Sequence, residues 1–135
     1  MYIKSIKLTN FQCYYGQDNL FEFSEGLNIV LGKINKGKSK LFDAFYWVLF
    51  GEIYITGNNW IKTDNNKIGI SYVNDKAKFE ADPGDTIFAS VEMVINSVLN
   101  YRKVDFTITR KVQLTFKPES SKELWYEKQS WIMAP

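Results

Sequence analysis

One run of this 135-residue chain has the residue types and spacing to hold a polyphosphate: Gly32-Lys33-Ile34-Asn35-Lys36-Gly37-Lys38-Ser39. It satisfies the pattern G-x-x-x-x-G-K-[ST]. Gly32 and Gly37 allow backbone angles that side chains forbid, so successive N–H groups can turn inward around phosphate oxygens. Lys38 is spaced to bridge the β- and γ-phosphates, and the Ser39 hydroxyl to ligate Mg²⁺. The amides of Asn35 and Lys36 complete the cradle, and Lys33, Lys36 and Lys40 surround it with positive charge. A lysine-rich turn can meet the same pattern by chance, so the flanking elements decide: a strand must precede it and a helix must follow.

Both flanks are present. Leu27, Ile29, Val30 and Leu31 form a short apolar run that reads as a buried strand and breaks at Gly32. Beyond the loop, Leu41, Phe45, Val48 and Leu49 recur at helical spacing, with Phe42 beside them, and predict a helix over 38–50. Its N-terminus aims a positive dipole end and free N–H groups at the loop. Asp43, one turn in, reads as a solvated or capping charge.

Composition removes several chemistries. The chain has no histidine and one cysteine, Cys13, which excludes histidine-based triads, Cys/His zinc sites and an internal disulfide. Cys13 reads as a small packed residue. Net charge is only +2, so any nucleic-acid surface must be local. Apolar content of 45% with 16% aromatics marks a globular chain. No run reaches membrane-spanning length and no signal peptide opens the chain, so the expectation is a cytoplasmic protein with no membrane partner. Tyr14, Tyr15, Trp60, Trp125, Tyr126 and Trp131 lack a regular stacking pattern and read as core and rim aromatics.

The elements that must position the loop follow in order: strands within 1–31, the phosphate loop at 32–39, the helix at 38–50, a loop over 51–85, a β-hairpin over 86–116 and a tail over 117–135. Residues 1–11 alternate as a strand, with a slip between Ile3 and Ile6 that marks a bulge or an uncertain start. Residues 19–23 read as a second strand, with Leu20, Phe21 and Phe23 apolar. Gly51 is a helix stop. Residues 76–81 suit a helical turn before Asp82-Pro83-Gly84-Asp85. Ile87, Ala89, Val91, Met93 and Ile95 alternate on one strand, and Val104, Phe106 and Ile108 on the next, with a loop at 96–102 between them. Residues 124–133 give a further short strand or an unsupported tail. The fold class is α/β: a partial P-loop NTPase, with a mixed sheet, an antiparallel flank and a phosphate-loop helix.

Three segments together resemble a known family. I-K-S-I-K-L-T-N-F at 3–11, Tyr15-Gly16 and F-S-E-G-L-N-I-V-L-G at 23–32 look like the opening of SMC-type ATPases. That group includes the SbcC, RecF, RecN and chromosome-maintenance proteins, relatives of the ABC ATPases. G-K-S-K-L-F-D-A-F-Y-W-V-L-F-G at 37–51 continues the likeness, and the runs at 76–93 and 104–110 are similar to the strand hairpin of the same half-head. Among members, the chain looks closest to the SMC-like ATPases of bacterial defence systems such as the Lamassu type. The resemblance implies ATP and Mg²⁺ as ligands, the N-terminal lobe of an ABC/SMC head as fold, and action on DNA through the assembled complex. Ile34 stands where the family has Asn, Asn35 where it has a middle Gly, and Gln12 where it often has a basic residue. Asn tolerates a left-handed backbone, so the loop can still close.

The resemblance also says what this sequence lacks. Heads of the family hydrolyse ATP between two copies, using a Walker B carboxylate strand and a serine-glycine signature that follow a coiled coil. Residues 70–75 and 103–105 do not supply a Walker B strand, and no signature sequence occurs. Gln113 and Gln129 read as strand and rim residues rather than as the family's nucleotide-sensing glutamine. The expectation is an N-terminal half-head that binds Mg·ATP, turns over weakly or not at all alone, and requires a C-terminal half-head or a second head. The alternative is a truncated or decayed, non-catalytic module that docks on a full-length partner.

Overall fold

The computed structural model describes residues 1–26, 28, 38–54, 60–62, 72–116 and 125–134. Its organising layer is a five-stranded antiparallel sheet, built because alternating side chains leave one apolar face to bury. The strands are β1 (Tyr2–Thr9), β2 (Asn19–Glu22), β5 (Thr86–Leu99), β6 (Arg102–Phe116) and β7 (Trp125–Ala134), in the order β2-β1-β5-β6-β7. A helix, α1 (Lys38–Phe50), lies on the inner face. A two-stranded ribbon, β3 (Glu52–Tyr54) with β4 (Trp60–Lys62), follows it, and a short helix, α2 (Asp75–Glu80), precedes β5.

The alternation in β5 is realised: Ala89, Val91 and Met93 are buried, with Ile87 and Ile95 packed against them. Across the ladder, Ile108, Val112 and Leu114 of β6 complete that face. The slip in β1 is a register shift between Ile3 and Ser5, after which Ile6 and Leu8 point into the core. On the outer face, Lys4 of β1 donates to Asp105 of β6 at 2.8 Å, and Asn96 of β5 donates to the same carboxylate at 2.8 Å.

Several expectations are corrected. The segment 51–85, read as loop apart from a helical turn at 76–81, also contains β3 and β4, with Ile53 buried in the core, while the helical turn is realised as α2. The loop expected at 96–102 shrinks to a two-residue turn, because Asn100 and Tyr101 both take positive φ (52° and 65°) and match the twist of a tight hairpin. The chain end expected as short strand or tail is the ten-residue β7, paired with β6 from Thr107↔Ala134 to Phe116↔Trp125. Leu20 turns outward with Glu22, leaving Phe21 and Phe23 to pack on the core. On α1 the buried stripe is Leu41, Ala44, Trp47 and Val48, while Leu49 is 37% exposed and Phe45 only partly buried. The stripe turns toward Trp47 because its indole stacks on Phe11 at 5.2 Å and meets Tyr72 at 5.1 Å. The expected strand 27–31 lies outside the described residues apart from Asn28.

Candidate functional site

The residues Gly32, Lys33, Ile34, Asn35, Lys36 and Gly37 lie outside the described residues, as does the Lys38 side chain. What is described is the element that must aim them. α1 opens at Lys38, and the first turn of an α-helix leaves N–H groups without an intrahelical acceptor. Its first turn carries no acidic side chain that would occupy those donors. Ser39 and Lys40 are exposed there. The described donors at this helix start are the Ser39 hydroxyl and the Lys40 ammonium, at the positive end of the helix dipole.

Asp43 is not the solvated charge expected from its place in the helix. It is 6% exposed, and burial raises its pKa above the ordinary carboxylate range. A hydrogen bond from Gln12 and the positive charge of Lys40, whose Nζ lies 3.9 Å away, oppose that rise. Gln12 therefore has a described role at the position where the family often carries a basic residue. Its backbone is left-handed (φ 49°) and fixed on both sides. The Gln12 N–H donates to the Tyr72 carbonyl at 2.7 Å, and its carbonyl accepts from Asn74 Nδ2 at 2.8 Å. Asn74 also caps α2, accepting from the Ala77 N–H at 3.0 Å.

The far end of α1 is held from the sheet. Trp131 on β7 donates its indole N–H to the Val48 carbonyl at 2.8 Å. Gly51, at φ 68°, ends the helix with its N–H donating to the Trp47 carbonyl. The Arg110 guanidinium lies so close that a Cβ on Gly51 would sit 3.1 Å from its Nη1. Arg110 lies between Ile108 and Val112 on the inward face of β6, and desolvation lowers its pKa.

Other candidates fall away from the site. Cys13 is exposed rather than packed, because the turn after β1 points it outward. Partial desolvation still raises its pKa, with Lys40 opposing, so the thiol form is favoured. Asp75 pairs with Lys78 along α2 at 3.1 Å, and Asp105 is engaged by Lys4 and Asn96. Gln113 and Gln129 sit inside the β6 and β7 ladder. Among the described residues, no group of three Cys, Asp or Glu side chains could hold a metal, and no helix is long and apolar enough to cross a membrane. Sequence reasoning missed the roles of Gln12, Asn74, Arg110 and Trp131; their signal lies in pairings between distant segments, which no local spacing encodes.

Comparison with known proteins converges on this arrangement. The family model described as an AAA domain matches residues 5–131. The DNA replication and repair protein RecF of Pediococcus pentosaceus is 32% identical over 59 residues, covering 44% of this chain and 15% of that protein. The urease accessory protein 2 of Cryptococcus neoformans var. grubii is 25% identical over 122 residues, covering 82% of this chain and 10% of that protein. The chain thus spans only a small part of the length of these curated relatives. A solved structure, described under ATP-driven dimerization and DNA stimulated activation of SMC ATPases, superposes with a TM-score of 0.61 at 19% identity. That match covers 98% of this chain and 69% of the solved one, and it shows the same fold. The chain belongs to the AAA domain family.

Proposed function

We propose that residues 32–40 bind Mg·ATP and that the chain is the N-terminal part of an SMC-like ATPase acting on DNA, in repair, chromosome maintenance or defence against phage or plasmids. The observation that carries this reading is a helix that begins at Lys38, with Ser39 and Lys40 exposed and no carboxylate in its first turn, in a chain of this family. In it, Lys38 contacts the β- and γ-phosphates, the loop and first-turn amides hold phosphate oxygens, and Ser39 offers its hydroxyl to Mg²⁺. Bound Mg²⁺ supplies charge neutralisation across those phosphates.

Hydrolysis asks for a positioned base and further transition-state charge, and Asp43, Asp75 and Asp105 are each engaged elsewhere. A C-terminal half-head or a second head supplies them in this reading, and DNA is engaged by the assembled complex in the cytoplasm. An apolar surface favours such a partner: Phe42 is 65% and Phe50 61% exposed on α1, beside Tyr46 and Leu49.

Thermal unfolding with and without Mg·ATP tests the proposal. Nucleotide at one hundred times its dissociation constant adds about 2.7 kcal/mol to stability. No shift at millimolar Mg·ATP contradicts the reading and favours a decayed, non-catalytic module in which Ile34 and Asn35 have closed the loop to nucleotide.

A further inference from the structure

Arg110 is a half-buried cation that lacks a counter-charge. Its guanidinium lies against Gly51, where α1 ends, so closely that a Cβ there would meet Nη1 at 3.1 Å and Nη2 at 3.5 Å. Among the described residues it makes no ion pair, and its Nε is buried without a hydrogen-bond acceptor. A guanidinium carries five N–H donors in a fixed fork, and drying them unpaired costs stability. Arginine beside a helix C-terminus ordinarily serves by donating to the last carbonyls. That task falls to others here. The Val48 carbonyl accepts from Trp131 at 2.8 Å and the Trp47 carbonyl from the Gly51 N–H at 2.9 Å, with Arg110 bonded to neither.

The surface around the guanidinium is apolar and open. Trp131 stands opposite Arg110 in the β6–β7 ladder, so both side chains leave the same face of the sheet. Trp131 is 45% exposed, Met133 two residues further is 58% exposed, and Phe50 beside Gly51 is exposed as well. Arginine set among exposed tryptophan, phenylalanine and methionine is the composition that protein–protein contacts favour at their centre. The missing charge then names the chemistry of the partner. A carboxylate meets the fork with two parallel hydrogen bonds. A phosphate dianion fits less well, because α1 presents the negative end of its dipole at this point. A free ion of either kind would also leave the apolar surface wet.

We propose that the end of α1 is a docking site for an acidic side chain of a partner protein, whose carboxylate pairs with Arg110 while its apolar neighbours cover Phe50, Trp131 and Met133. Nucleotide at 32–40 is not required for this. The helix spans 13 residues, which puts its two ends about 18 Å apart.

Arg102 and Arg110 are the only arginines of the chain, so their Nε–H signals are readily told apart in a nitrogen-15 spectrum. The probes are the peptide acetyl-Leu-Glu-Leu-Leu-amide, its Gln counterpart and inorganic phosphate, each titrated to several millimolar. The Glu peptide shifts the Arg110 Nε–H and the Trp131 indole N–H saturably and leaves Arg102 in place. The Gln peptide binds about tenfold more weakly or worse, since it lacks the charge-assisted pair. R110M reduces the Trp131 response to the Glu peptide to that of the Gln peptide, and R110K, with charge but no fork, falls between. The urea midpoint of R110M stays at or above that of the wild type, because an unpaired half-buried cation has been removed.

No shift at Arg110, or equal binding of the Glu and Gln peptides, overturns the docking site. Phosphate that shifts Arg110 as strongly as the Glu peptide makes it a small-anion site instead. Shifts that follow protein concentration without peptide give the surface to a second copy and likewise overturn the proposal. A midpoint that falls in both R110M and R110K assigns Arg110 to the stability of the helix end and overturns it too.

Discussion

The indole N–H of Trp131 donates to the carbonyl of Val48 at 2.8 Å, so the last described strand caps the last turn of α1. Helix ends leave carbonyls without intrahelical donors, and this one is satisfied from across the sheet. Trp131 → Phe keeps the ring and removes the donor. It should cost about 1 kcal/mol, seen as a lower urea midpoint with an unchanged slope. An unchanged midpoint would mean that water replaces the indole without loss.

Gly51 ends the same helix at φ 68°, where a side chain is strained, and the Arg110 guanidinium closes over it. A Cβ would meet Arg110 Nη1 at 3.1 Å and Cζ at 3.2 Å. The guanidinium is the far end of a long side chain and can shift, so the backbone term dominates. Gly51 → Ala should therefore destabilise by about 1–2 kcal/mol. Equal stability in calorimetry would show that the turn accepts an alanine in another conformation.

Trp47 is fully buried between Phe11 and Tyr72, with ring centroids 5.2 and 5.1 Å away. It joins α1 to the two segments that Gln12 also joins. Trp47 → Ala should cost about 3–5 kcal/mol, a large share of a small domain's stability. A far-ultraviolet melt within a degree or two of the wild type would contradict this packing.

Asp43 and Asp105 give opposite pH dependences. Burial raises the Asp43 pKa in the fold, so its contribution is fully present below the unfolded value and is lost as pH rises to the folded one. Bonds from Asn96 and Lys4 lower the Asp105 pKa, so its contribution is present above the unfolded value and is lost as pH falls through the folded one. Asp43 → Asn should thus be more stable than the wild type at pH 7, with the gap closing below about pH 4. Urea midpoints at the two pH values measure it; a variant less stable at pH 7 would mean that the charge is stabilising.

Legibility in the sequence followed the range of the cause. The inward residues of β5, and Ile108 of β6, could be named from alternation because a sheet with one buried face imposes period two on its own strand, whereas Val104 and Phe106 stay outside the core and Val112 and Leu114 take that face instead. The β1 bulge was visible for the same reason, as a break in that period. The Asn100-Tyr101 turn was not, since Tyr is a poor candidate for positive φ and the usual glycine is missing. β3 and β4 hid in an Asn/Thr/Gly-rich stretch whose pairing depends on a partner rather than on propensity. At the site, the fragment Gly37-Lys38-Ser39 announced a helix start, but nothing local signalled that Asp43 would be buried, or that Trp47 would take Leu49's place inward.

The central claim is that the backbone opening α1 holds a nucleotide's phosphates, with Lys38 as their chief charged contact. Isothermal titration of Mg·ATP into the wild type and Lys38 → Ala tests it most directly. A charge-assisted contact is worth roughly 1.5–3 kcal/mol, so the account predicts saturable wild-type binding that weakens by at least about tenfold in the variant. Equal affinity in the two proteins, or no binding by the wild type, would contradict it.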